Sequence, residues 1–198
     1  MHVTTQQVMD AMSPDAQGLL AVVATEEATG SEALAAALEG ARLVAVLTQA
    51  QDPGNAGTII RAADAAGADA VVLVRGSVDP TAPKVVRSTA GSLFHLPVVT
   101  GVALDDAVTA LHNAGLTVLA ADGRGDFDLF EAESLLEAPS AWLLGNEAHG
   151  LPPEALSRAD AVVSIPIYGK AESLNVAAAA AVCLYASARA QAQNSGRS

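Results

Sequence analysis

A chain of 198 residues with 51% hydrophobic and only 3% aromatic side chains can build one α/β-sized domain around a core of Ala, Val and Leu. Its 22 acidic residues outnumber 10 basic ones for a net charge of −12, which taken globally argues against nonspecific binding to nucleic acid or an anionic membrane. One cysteine, Cys183, allows neither an internal disulfide nor a cysteine zinc site, and no apolar run reaches the length of a membrane span. With a start, MHVTTQQVMD, that lacks the pattern of a signal peptide, a cytoplasmic protein is expected.

In chain order, Gln6–Met12 reads as a short helix closed by Ser13-Pro14, and Leu19–Ala24 as an apolar strand. Ser31 is expected to cap a second short helix, Glu32–Leu38, that ends near Gly40. One strand cannot make a sheet, so residues 1–40 read as an appendage to a main domain at 41–198. From Leu43 the pattern is regular. Strands are predicted at Leu43–Leu47, Ala70–Val74, Leu96–Val99, Leu116–Ala121, Ala141–Leu144 and Val162–Ile165. Helices are predicted between them at Thr58–Ala66, Lys84–Ala90, Leu104–Ala114, Phe130–Glu137 and Pro152–Ser157. The strands are continuous apolar runs, as expected when helices cover both faces, so the class is α/β with a mainly parallel sheet flanked by helices.

The last strand opens the stretch Ile165–Ala181, IPIYGKAESLNVAAAAA. Pro166 ends the ladder, Tyr168-Gly169-Lys170 makes a polar turn, and Ser173 is a natural N-cap with Leu174, Asn175 and Val176 as the first helical turn. The free N–H groups of that turn face whatever occupies the loop. The polar tail Gln191–Ser198 is expected to fray.

Ligands of such sheets sit beyond the carboxyl ends of the strands, so the loops there carry the chemistry. After Leu47 comes Gln51-Asp52-Pro53-Gly54-Asn55-Ala56-Gly57, leading into a helix that bears Arg61; it is neither GxGxxG nor a Walker loop. After Leu144 comes Gly145-Asn146-Glu147-Ala148-His149-Gly150-Leu151, either a tight turn or a ligand loop. His149 has no second His or Cys at metal-ligand spacing and reads as a turn histidine.

Together DPGNAGTIIRAADAAGA, LLGNEAHGL and IPIYGKAESLNVAAAAAV resemble, in order and spacing, three motifs of the SpoU/TrmH-type RNA ribose methyltransferases, the 2′-O-methylating branch of the SPOUT superfamily. KVVRSTAGSLFHLPVV at Lys84–Val99 is similar to the segment between those motifs. The resemblance covers roughly Ala41–Ala190. It implies a C-terminal trefoil knot, a homodimer, and S-adenosylmethionine held by Gly145, Ile165 and Leu174. It also implies that Asn55, Arg61, Glu147, Ser173 and Asn175 surround the reacting ribose. Residues Met1–Ala24 resemble the last helix and strand of a ribosomal-protein-like RNA-binding domain, so the chain is expected to be a fragment or a short form.

The residue types suit that chemistry. A ribose 2′-OH is a poor nucleophile until it is oriented and its proton removed. Leu144, Ile165, Ile167 and Leu174 can offer adenine an apolar slot. Asn55, Ser173 and Asn175 offer neutral hydrogen bonds, and Glu147 suits the fixing of neighbouring loops. Guanidinium is effectively always protonated, so Arg61 reads as a phosphate or ribose clamp rather than a general base, and no metal is needed. The acidic balance is set against a local gathering of Arg61, Arg75, Lys84, Arg87, Arg124, Arg158 and Lys170 near these loops, with Lys84, Arg87 and Lys170 as RNA contacts; acids such as Glu26, Glu27, Glu32 and Glu39 lie elsewhere. The expected function is AdoMet-dependent 2′-O-methylation of structured RNA, rRNA before tRNA, with a catalytically inactive knotted RNA-binding factor as the alternative. A nicotinamide-dependent enzyme fails for want of a glycine fingerprint after the first strand.

Overall fold

The computed structural model describes residues 2–13, 16, 18–24, 28–146 and 149–195. The strands among them are β1 (Leu43–Leu47), β2 (Ala70–Val74), β3 (Val98–Val102), β4 (Thr117–Ala121), β5 (Phe127–Asp128), β6 (Ser140–Leu144) and β7 (Ala161–Ser164). They form one sheet in the order β3-β2-β1-β6-β4-β7-β5, and every pairing is parallel. The helices are α1 (Gln6–Met12), α2 (Gly30–Ala37), α3 (Pro53–Ala65), α4 (Pro83–Thr89), α5 (Leu104–Asn113), α6 (Glu133–Leu136), α7 (Pro153–Arg158) and α8 (Val176–Ser195). None is long and apolar enough to cross a membrane among the described residues.

Alternation along the central strands divides the core in two. Leu43, Ala45 and Leu47 of β1 and Trp142 and Leu144 of β6 face Ile59 and Ile60 of α3 and Ala180 and Leu184 of α8. Val44, Val46, Ala141 and Leu143 point the other way, to Leu34 of α2, Leu111 of α5 and Ala155 of α7. Both faces are dry, which is why the strands read as unbroken apolar runs. Each fully buried Leu or Ile side chain contributes about 1.5–3 kcal/mol.

Helix α8 spans the sheet from its carboxyl to its amino edge. Its inward polar groups are satisfied: Trp142 Nε1 donates to Ser187 Oγ at 2.9 Å, and Gln191 Nε2 donates to the carbonyls of Ala138 at 3.0 Å and Arg42 at 3.2 Å. These bonds hold residues 191–195 in the helix, where fraying was expected. The stripe Ala177, Ala180, Cys183, Leu184 and Ser187 is buried against the chain's own sheet and α3, so its small side chains serve intramolecular contact.

Several boundaries differ from expectation for identifiable reasons. Leu19–Ala24 is not a strand; Leu19 and Val22 are exposed. Among the described residues the edge of β3 is met by Thr29, bridged to Thr100, whose N–H donates to the Ala28 carbonyl at 3.0 Å. A β-prone run without a partner strand has nothing to bond to. Thr29, not Ser31, stands at the N-cap of α2. Helix α3 begins five residues before the predicted Thr58, because Asp52 Oδ1 accepts from Asn55 N at 2.7 Å and Pro53 fills the first position. The strand predicted at Leu96–Val99 runs instead over β3, Phe127–Asp128 adds a short edge strand, and the helix expected at Phe130–Glu137 shrinks to α6.

Cys183 is fully buried, and burial pushes its thiol up to about 12. At pH 8 only about one molecule in ten thousand then carries the thiolate that attacks disulfide reagents. The native protein is therefore expected to react with such a reagent at least tenfold more slowly than the protein in denaturant. Rapid stoichiometric labelling of the native state would contradict the placement of α8.

Candidate functional site

The loops after β4, β6 and β7 enclose a cavity of about 520 Å³ at the carboxyl end of the sheet. Its wall includes Gly145, Ile165, Ile167, Ser173, Leu174 and Asp122. Gly145 is required by contact: a β-carbon there would stand 2.6 Å from Leu151 N and 2.7 Å from the Gly150 carbonyl oxygen. That closeness is held by a two-way pairing in which Asn146 N donates to Gly150 O at 2.9 Å and Gly150 N to Asn146 O at 2.8 Å.

Ile167 and Leu174 are each partly open to the cavity, at 38% and 41% exposure, although large apolar side chains usually hide. Among the described residues the loop 167–174 makes no backbone–backbone hydrogen bond, so its N–H and C=O groups remain for a ligand. Asp122 closes the cavity from β4. Burial works to raise its carboxyl, yet the Arg124 side-chain (3.2 Å) and backbone (2.9 Å) bonds together hold it below the usual carboxylate range.

Beside the cavity, Asn175 does three things. Its Oδ1 accepts from Ala177 N at 2.9 Å and Ala178 N at 3.3 Å, and its carbonyl accepts from Ala179 N at 2.9 Å. These are the bonds of an N-cap, so Asn175 rather than Ser173 starts α8, and Ser173 and Leu174 stay in the loop. Its Nδ2 then donates to Asn55 Oδ1 at 3.1 Å, joining the third sequence motif to the first.

Of the other expected residues, Leu144 does not line the cavity. Its side chain is buried in the core, and its carbonyl accepts both Thr48 N and Thr48 Oγ1 at 2.9 Å. Glu147 lies outside the described residues, as do Glu26 and Glu27. Arg61 is exposed on α3, 1.7 turns beyond Asn55 by helix geometry of about 3.6 residues per turn. One turn further, Asp64 bonds Ser92 and accepts from His95 Nδ1 at 2.8 Å, and these bonds hold its carboxyl below the usual range while tying the 3-10 turn Ser92–Phe94 to α3.

Lys84, Arg87 and Lys170 are exposed, the first 3.8 Å from Asp52. Helix α4, which carries Lys84 and Arg87, lies so close to α3 that a β-carbon on Gly57 would stand 2.7 Å from the Val85 carbonyl oxygen. The cationic gathering is smaller than the sequence implied: Arg124 pairs with Asp122 at 3.2 Å and Arg158 with Asp105 at 3.0 Å. Sequence reasoning missed Asp122 and Gly123, although they directly follow a strand and the carboxyl-end rule applied there would have found them.

The SpoU rRNA Methylase family matches residues 42–185. The 23S rRNA (guanosine(2553)-2′-O)-methyltransferase RlmP of Bacillus subtilis is 42% identical over 151 residues, 75% of this chain and 58% of the relative. A SpoU methyltransferase, AviRb from Streptomyces viridochromogenes in complex with the cofactor AdoMet, superposes with a TM-score of 0.67 at 38% identity, over 74% of this chain and 56% of that one. The rRNA methyltransferase from Sinorhizobium meliloti gives a TM-score of 0.80 at 31% identity, over 93% and 70%. This chain thus spans little more than half the length of the first of these relatives. With a matched stretch that takes in β1, the cavity and the first half of α8, the chain belongs to the SpoU rRNA Methylase family.

Proposed function

We propose that this chain carries the S-adenosylmethionine-dependent transfer of a methyl group to a ribose 2′-hydroxyl of rRNA. The observation that carries the reading is the cavity of about 520 Å³ with open Ile167 and Leu174 beside the Asn55–Asn175 pair. The residues fit the cofactor. The volume is that of a small-molecule site, the floor is apolar enough for adenine, the backbone of 167–174 is unspent, and the Gly145 cradle excludes any side chain.

When bound, S-adenosylmethionine supplies an electrophilic methyl group on a sulfonium. The protein's own residues must then hold a ribose in line and ease removal of its 2′ proton. Asn55 and Asn175 fix each other, so both amides are preorganised, with Ser173 beside them as a further hydrogen-bond group. Arg61 cannot act as a base while protonated. It grips phosphate, and the proton leaves to the phosphate or water. Lys84, Arg87 and Lys170 add cations for the RNA backbone. That Asn55, Arg61, Ser173 and Asn175 all stand on or beside the two paired segments speaks against an inactive RNA-binding factor.

The same reading takes residues 1–40 as an appendage to the methyltransferase domain at 41–198, a C-terminal trefoil knot, and a cytoplasmic homodimer. The sheet order, in which β7 returns between β4 and β5, supports the knot. The outward side of α8 supports the dimer, because exposed Tyr185 and Phe130 border a groove of about 460 Å³ with Val182 and Ala186. Sedimentation at micromolar concentration should give twice the chain mass; a monomer that still methylates RNA would remove the dimer requirement.

Calorimetric titration with S-adenosylhomocysteine, without added metal, tests the cavity. Leu174→Arg fills it with a charge that lacks a partner and should weaken binding at least about tenfold. Unchanged affinity would show that the cofactor binds elsewhere.

Arg61 is tested by single-turnover methylation of transcribed 23S rRNA across pH, with 2′-O-methylnucleosides identified after digestion. Arg61→Lys keeps the charge and loses the planar fork, so the rate should fall without a change in the shape of the pH profile. Arg61→Ala should fall much further while cofactor affinity stays. Loss of the basic limb in Arg61→Lys would restore the general base, and wild-type turnover in Arg61→Ala would end the assignment.

A further inference from the structure

We infer that the crevice between the carboxyl ends of β1 and β6 receives the base of the nucleotide being methylated, and that the His149 ring reads the edge of that base. The inference rests on the methyl-transfer reading above and adds a base subsite to it. The crevice measures about 810 Å³, enough for a nucleoside with water, and is bordered by Thr48, Gln49, Gln51, Asn146, His149 and Pro152. It shares Asn146 and Gly150 with the cofactor cavity. A ribose held at that common wall, with its 2′-oxygen toward the cofactor side, directs its base into the crevice.

The lining chemistry favours a base over a phosphate. Gln49, Gln51, Asn146 and His149 are amide and imidazole groups, the kind that read base edges. The carboxylate on the border, Asp52, caps α3 and lies near Lys84. The cations expected to meet phosphate, Arg61, Lys84 and Arg87, stand on α3 and α4, outside the crevice lining.

A hydrogen-bond chain orients the histidine. Gln49 adopts φ +55°, a left-handed conformation unusual for a residue with a side chain, and its carbonyl accepts Asn146 Nδ2 at 2.9 Å. That bond sets which way the Asn146 amide points, so its Oδ1 faces His149 Nδ1 at 3.3 Å. With Nδ1 donating to that oxygen, Nε2 is left as an acceptor for a base N–H.

The test is an NMR titration of the full chain labelled in its histidine rings, with AMP, CMP, GMP and UMP added separately, with and without saturating S-adenosylhomocysteine. At least one nucleotide should shift the His149 ring nitrogens, and His149→Leu should weaken that nucleotide about fivefold or more, the scale of one base contact, with cofactor affinity unchanged. His149→Gln, which retains an acceptor, should recover part of the loss. Two results overturn the inference: no nucleotide moves the His149 signals, or S-adenosylhomocysteine alone moves them as far, which would give the crevice to the cofactor. Failure of wild-type protein to methylate transcribed 23S rRNA would sink the methyl-transfer reading instead, and the nucleotide titration is read independently of it. Where methylation is measurable, kcat/KM of His149→Leu should fall between about fivefold and a hundredfold; an unchanged value overturns the inference.

Discussion

The position of β6 between β1 and β4 is the constraint from which the site follows. The chain leaves β1 for α3 on one face of the sheet, and leaves β6 for α7 on the other. Loops that part in this way open a crevice at the carboxyl edge, and in open α/β sheets that is where ligands settle. Thr48 reinforces the junction by giving both its backbone N–H and its hydroxyl to the Leu144 carbonyl, so the two strand ends cannot spread. The cavity under Ile165 and Leu174 and the crevice beside it are two sides of one split, divided by the tight Asn146–Gly150 pairing. Rigid strands carry this wall, and function can then reside in short loops whose own backbone is unspent.

Charge is handled locally. A net −12 would repel RNA if it were spread evenly, and the sequence suggested that seven cations around the loops answer it. The structure divides those seven. Arg124 and Arg158 are held by Asp122 and Asp105, and Arg75 donates from its guanidinium to the Gly101 carbonyl at 3.2 Å, so they serve the fold. Arg61, Lys84, Arg87 and Lys170 remain exposed on or beside the elements that border the site. A smaller group of cations on α3, α4 and the 167–174 loop makes a narrower electrostatic footprint than seven would.

The strands were legible because burial on both faces writes a simple signature, five apolar residues in a row, and β1 and β2 fall where that signature predicts. What was not legible depended on partners distant in sequence. Leu19–Ala24 has the composition of a strand, but pairing is decided by partners, and among the described residues the edge of β3 is bridged by Thr29 rather than by this run. The start of α3 was legible in principle, since Asp before Pro is a capping signal; the glycines at positions 54 and 57 hid it behind their reputation as loop formers. Leu144 was expected to help form an apolar slot because its side chain is apolar, yet a residue at the end of a fully buried strand packs into the core, which is where its side chain lies.

The start of α8 shows why such limits gather at the site. Ser173 and Asn175 are equally good caps by propensity, and local sequence cannot choose between them. The choice is made by Asn55, 120 residues earlier, whose Oδ1 takes the Asn175 amide proton. With Oδ1 of Asn175 capping the helix and Nδ2 bonded across, the amide has no freedom to flip, and the cap position is bound to the geometry of α3. Moving the helix start two residues later keeps Ser173 and Leu174 out of the helix and leaves their backbone groups facing the cavity. The same bond therefore fixes a helix end, exposes the loop that can grip a cofactor, and sets the distance from that loop to the helix that carries Arg61. A helix beginning at Ser173 would have spent those backbone groups on itself, and the cavity would have lost its hydrogen-bonding wall.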